Sequence, residues 1–212
     1  MRIEVINGSK SFKDNHLYTD LNVSFPDKTI TALTGPSGCG KSTLLNIMSG
    51  YENLDSGQVV FYSDSVGQES YQISSGDKLI AWIPQISAIL PYRTALDNVM
   101  IGALAVGVEE QTARQLALSF LELVGLENHA LDFARTLSGG EMQRVCFARA
   151  LVSRKPFIFA DEPTASLDEA ATKYIASILR NLKSQSCIIV ATHDPLVISA
   201  CDRVVDLRSQ HG

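Results

Sequence analysis

Residues 35–43 read GPSGCGKST and constrain this chain more than any other segment. The pattern G-x-x-x-x-G-K-[ST] follows an apolar, β-branched run at residues 29–34 and precedes a helix-forming run at 42–48. A strand, a glycine-rich turn and a helix in that order make a phosphate cradle. Gly35, Gly38 and Gly40 let the backbone curl so that its N–H groups face inward, and the helix start adds its positive end. Pro36, Ser37, Cys39 and Thr43 complete the loop and are candidate nucleotide contacts. Lys41 supplies a charge for β- and γ-phosphates, and Ser42 places a hydroxyl for Mg²⁺.

A phosphate cradle of this kind needs an α/β setting, and the rest of the chain provides one. Residues 157–160 and 187–191 are continuous apolar runs, separated by an amphipathic helical pattern over 168–183. Strands apolar on both faces and alternating with helices imply a covered parallel sheet. Further strands are expected at 2–6, 21–25, 59–62 and 79–83, and the polar residues 63–77 read as a loop. The middle changes character: residues 94–124 read as helical, with Leu116, Phe120, Leu123 and Val124 on one face. Ser138 is placed to cap a helix running to about Val152. The 212 residues suit one domain, an α/β core over about 1–86 and 154–212 with a helical subdomain inserted at about 87–153.

Residues 157–162 read FIFADE. A carboxylate at the end of an apolar strand suits the Mg²⁺ water shell, which assigns Asp161 to the metal. Glu162, the next residue, is the candidate that orients or deprotonates an attacking water. An acidic pair also suits a helix start, so the catalytic reading depends on the phosphate cradle beside it.

Net charge is −5, whereas nucleic-acid binders relying on counterion release are usually basic, so no nucleic-acid partner is expected. No run reaches the roughly 18 to 20 apolar residues of a membrane span, and the first residues lack an apolar leader, which predicts retention in the cytosol. The cysteines (Cys39, Cys146, Cys187 and Cys201) have no metal spacing and read as reduced thiols.

The heptapeptide at 137–143, LSGGEMQ, is far less widespread than the phosphate cradle. Ser138 with Glu141 is a capping box in its own right, yet the whole resembles the signature motif of the ATP-binding subunits of ABC transporters. Other family motifs follow in order: Phe12 where an adenine-stacking aromatic lies, Gln85 in WIPQ, ASLD at 165–168 and His193 in ATHD. Two small departures are Phe rather than the commoner Tyr at 12, and Ser166.

The resemblance implies an α/β fold with a parallel-sheet core, an N-terminal antiparallel β subdomain and an inserted helical subdomain. It implies binding and hydrolysis of ATP with Mg²⁺ in a head-to-tail homodimer. Ser138, Gly139 and Gly140 would contact the γ-phosphate held by the other subunit, and Asp168 would lie in the loop at that junction. Gln85 would touch the metal and report to an integral membrane permease, and His193 would touch the γ-phosphate. The chain would then sit peripherally on the cytoplasmic face of the membrane. The segment ILPYRTALDNV, 89–99, resembles the macrolide-exporter and lipoprotein-release branch. Two alternatives stay open: a non-transporting signalling ATPase of that branch, and a soluble ATPase of this type acting on nucleic acid or ribosomes.

Overall fold

The computed structural model describes residues 1–13, 15–62, 78–165, 167–182 and 186–210. The expected loop at 63–77, Ser166 and His211 lie outside the described residues.

Two sheets divide the work. Strands β1 (Arg2–Phe12), β2 (Asn15–Phe25) and β4 (Ser56–Tyr62) form an antiparallel sheet in the order β2-β1-β4. Strands β3 (Ile30–Thr34), β5 (Ile80–Ile83), β6 (Phe157–Asp161), β7 (Cys187–Ala191) and β8 (Arg203–Asp206) form a parallel sheet in the order β5-β6-β7-β3-β8. Both faces of the parallel sheet are covered, so β7 is buried at every position. Its side chains, and those of β6, alternate between two cores. Phe157, Phe159 and Ile189 pack with helix α1 (Lys41–Ser49) and the antiparallel sheet. Ile158, Ile188 and Val190 pack on the other face with α5 (Glu169–Asn181) and residues of the helical middle. Each fully buried phenylalanine contributes about 1.5–3 kcal/mol of transfer free energy.

The helical middle consists of α2 (Ala95–Leu104), α3 (Glu110–Leu123) and α4 (Gly139–Val152). The helical stretch expected over 94–124 divides into α2 and α3 at Gly107, which takes φ +85° between them, and Glu109 caps the second through Thr112 N–H. Asn98, fully buried, exchanges hydrogen bonds with both the N–H and the carbonyl of Leu90 and ties the preceding loop to α2. After β7 come α6 (Pro195–Ala200) and the edge strand β8, elements that the sequence pattern did not single out, and then a 3-10 turn at Leu207–Gln210. No helix among the described residues is long and apolar enough to cross a membrane.

Candidate functional site

The phosphate cradle sits where β3 ends and α1 begins. Gly35, Gly38 and Gly40 all have positive φ, at +146°, +80° and +98°. Gly40 is the N-cap of α1 and has no side chain to spare: a Cβ there would run into the Tyr18 hydroxyl. That hydroxyl donates a buried hydrogen bond to the Gly40 carbonyl, so β2 holds the loop from beneath. Burial pushes the Tyr18 phenol above its ordinary value, which keeps it a donor.

A cavity of about 590 Å³ opens over the loop. It is lined by Gly35, Pro36, Ser37, Gly38, Gly40, Lys41, Ser42 and Thr43, and also by Gln85, Glu162 and His193. Lys41 curls back, donating to the carbonyls of Gly35 at 2.9 Å and Pro36 at 3.3 Å, with its ammonium 3.9 Å from Glu162. Glu162 takes a left-handed backbone conformation, φ +42°, as it leaves β6, and its N–H donates to the Ala191 carbonyl at 2.8 Å. Such a conformation is costly for a residue with a Cβ and concentrates at functional positions. Nδ1 of His193 lies 3.0 Å from the Glu162 carboxylate. Base candidate, lysine and histidine therefore meet at one wall of the cavity.

Ser42 Oγ donates to Asp161 Oδ1 at 2.9 Å. Burial raises the Asp161 carboxyl above its usual range, and the Ser42 hydrogen bond opposes that. A hydroxyl and a carboxylate side by side are the hard oxygen donors that Mg²⁺ accepts. Among the described residues no cluster of three or more His, Cys, Asp or Glu stands ready for a metal.

Ser138, Gly139, Gly140 and Asp168 lie elsewhere. They line a separate cavity of about 560 Å³ with Glu141, Arg144, Leu167 and Tyr174, and this cavity shares no lining residue with the first. Ser138 caps α4 in a complete capping box: its Oγ accepts from Glu141 N–H, and Glu141 Oε2 accepts from Ser138 N–H and Oγ at 2.8 Å each. Those bonds, first that from the Ser138 backbone, hold the Glu141 carboxyl below its ordinary value. Asp168 caps α5 through Ala171 N–H at 2.8 Å. Phe12 is not in either lining; it stands at the end of β1 with 46% of its surface exposed. Cys39 is half-buried within the cradle.

Two residues that the sequence reading passed over matter to the geometry. Tyr18 is one, since β2 begins well before the expected residue 21. Gln143 is the other: its amide donates to the Pro84 carbonyl at 3.2 Å and accepts from Ser87 Oγ at 2.6 Å. Gln143 thereby fastens both flanks of Gln85 to the signature helix, and Gln85 itself also lines a small cavity with Gly139 and Met142. Glutamine as the last letter of LSGGEMQ was the available signal.

Comparison with known proteins gives a consistent picture. A family model described as ABC transporter matches residues 18–165. The "Lipoprotein-releasing system ATP-binding protein LolD" of Shewanella oneidensis is 34% identical over 213 residues, covering 95% of this chain and 91% of that one. The protein of the same name from Bacteroides fragilis is 34% identical, covering 94% of each. Among solved structures, the ATP-binding cassette MJ0796 in a dimeric, post-hydrolysis state bound to ADP and Pi superposes with a TM-score of 0.82 at 29% identity, covering 99% of this chain and 95% of that one.

Proposed function

The chain belongs to the ABC transporter family as an ATP-binding, ATP-hydrolysing subunit, and from that premise we propose that it works as a nucleotide-sandwiched homodimer driving an integral membrane permease. The observation that carries this reading is the separation of the two cavities. The phosphate cradle and the signature serine line cavities that have no residue in common, and in this reading a second copy brings Ser138, Gly139 and Gly140 to the γ-phosphate. The MJ0796 structure, dimeric with ADP and Pi, supports the same arrangement.

In this reading ATP replaces the contacts that Lys41 makes with the loop carbonyls and with Glu162. Loop N–H groups cradle the phosphates and Phe12 stacks on adenine. Ser42, Asp161 and Gln85 are the residues that would hold Mg²⁺, and the bound ion would supply neutralising charge to the β- and γ-phosphates. Glu162 accepts a proton from the attacking water and orients it in line with the γ-phosphate. His193, against the carboxylate, fixes its rotamer and reaches the γ-phosphate. Asp168 holds the start of α5 at the dimer junction.

The membrane partner is proposed to meet the helical subdomain, taken as residues 87–153 of a single domain, near Gln85. Ile86 is 84% exposed, and Tyr92, 77% exposed, shares Arg135 with Phe133 at 5.7 Å. Exposed aromatic rings with a cation beside them suit a short protein segment from a permease. A peripheral position on the cytoplasmic face follows from that contact. The relatives named as parts of a lipoprotein-releasing system favour export or extraction over action on ribosomes or nucleic acid.

Sedimentation tests the shared site. Glu162→Gln should be monomeric without nucleotide and dimeric with MgATP, and adding Ser138→Arg should abolish the dimer. A Glu162→Gln protein that binds ATP and stays monomeric at high concentration rejects the sandwich.

A further inference from the structure

Lys10 lies on β1 at a position facing inward and is only 7% exposed, an unusual place for a lysine. Its ammonium is fully engaged. It donates to Glu52 Oε1 at 2.8 Å and to the Asn53 carbonyl at 2.8 Å, and Asp55 lies 3.7 Å away. It also sits 4.9 Å from the centroid of the Phe12 ring, within the range of a cation–π contact. Asp55 closes the cluster from the other side, accepting from Ser11 N–H at 2.7 Å, while Asp55 N–H donates to the Ser9 carbonyl at 2.8 Å. Residues 9–12 are thus pinned to the segment 52–55, which leaves the C-terminal cap of α1 at Gly50. The Lys10 ammonium is held in its charged form, chiefly by its hydrogen bond to Glu52.

On the reading of Phe12 as the adenine-stacking ring, we propose that Lys10 is a positioning residue for the base. It fixes one face of the Phe12 ring and ties that ring to the helix that carries the phosphate cradle. An exposed phenylalanine at a strand end samples several rotamers, and a base binding to it must select one. A buried, triply anchored ammonium against one face makes that selection beforehand, leaving the rest of the ring for the base. Preorganisation of this kind raises affinity for the part of the ligand that uses it and for nothing else. The charge need not touch ATP, so Lys10 is not catalytic.

Nucleotide and phosphate affinities separate this role from a merely structural one. Equilibrium binding of ATP and of inorganic tripolyphosphate, both with Mg²⁺, is measured for the unmodified protein, Phe12→Ala, Lys10→Met and the double substitution. Lys10→Met should lose about three- to tenfold in ATP affinity. Tripolyphosphate should bind within about twofold of normal, which also reports an intact cradle. In the Phe12→Ala background Lys10→Met should cost ATP nothing further. Should Lys10→Met not fold, Lys10→Gln, which keeps a donor for Glu52 and Asn53, should show the same base-selective loss. Equal losses for ATP and tripolyphosphate, or additive losses in the double substitution, overturn the proposal. A weakened Phe12→Ala beside an unaffected Lys10→Met refutes the role of Lys10 alone. An unaffected Phe12→Ala refutes base stacking itself, and the role of Lys10 falls with it.

Discussion

Replacing Glu162 by glutamine should do two opposite things to the nucleotide cycle. The carboxylate stands 3.9 Å from the Lys41 ammonium, and the two side chains are 15% and 9% exposed. At an effective dielectric of about 20, that separation is a gross attraction of about 4 kcal/mol. Water and the loop carbonyls already bound by Lys41 offset most of it. If about a third survives, roughly 1.4 kcal/mol, releasing Lys41 should tighten ATP binding about tenfold. Hydrolysis should move the other way. A glutamine keeps the shape and a donor or acceptor for His193, yet it cannot take a proton, so single-turnover hydrolysis should slow by about 10²- to 10⁴-fold. Equilibrium binding and quenched-flow release of phosphate measure the two effects separately. Turnover within a few-fold of the unmodified enzyme would refute the base assignment. Weaker ATP binding would refute the claim that Glu162 competes with phosphate for Lys41.

Other outcomes follow from the same geometry. Gly40→Ala should fold with a displaced cradle and lose ATP binding by at least tenfold, since its Cβ meets the Tyr18 hydroxyl; isothermal titration reads it. Glu141→Gln should cost about 1 kcal/mol at neutral pH, as the loss of a helix cap does. Because the folded carboxyl lies below its ordinary 4.5, the stabilisation is complete above that value and fades as pH falls through the folded pKa; urea melts of both proteins should converge in acid, and a constant difference would reject the cap. Small alkylating reagents should label Cys39 and be blocked by MgATP. Cys187, its thiol pushed up to about 12 by burial, and buried Cys146 should stay unmodified in the folded chain, as peptide mapping by mass spectrometry would reveal.

The parts of the site that were legible in the sequence are the parts built from contiguous residues. The cradle, the strand-end acids and the capped signature helix each need only a few neighbouring side chains and a local backbone shape. What escaped was set by distant partners. The first half of β2 exposes Thr19 and Asp20 where its backbone is irregular, so its polarity hid a strand that pairs with β1 through a shifting register. Tyr18 was missed with it, although it is the residue that supports Gly40. Strand β8 is short, ends in charged residues and gains its identity only from pairing in parallel with β3. The inward position of Lys10 was hidden too, because the expected strand stopped at residue 6 and the register of β1 shifts on both sides of Lys10. Its anionic partners lie more than 40 residues away, at Glu52 and Asp55.

The central claim, that one ATP is held by the cradle of one subunit and the signature of another, is tested most directly by cross-linking. An ATP analogue with a photoreactive group on the γ-phosphate would be bound to a mixture of two proteins. One carries Lys41→Ala with Ser138 intact; the other carries Ser138→Arg with its cradle intact. Mass spectrometry then maps the modified peptide and its subunit of origin. Labelling of the segment around Ser138 on the Lys41→Ala subunit is expected, appearing only in the mixture. Labelling confined to the subunit whose cradle binds the nucleotide, in demonstrated mixed dimers, would contradict the claim.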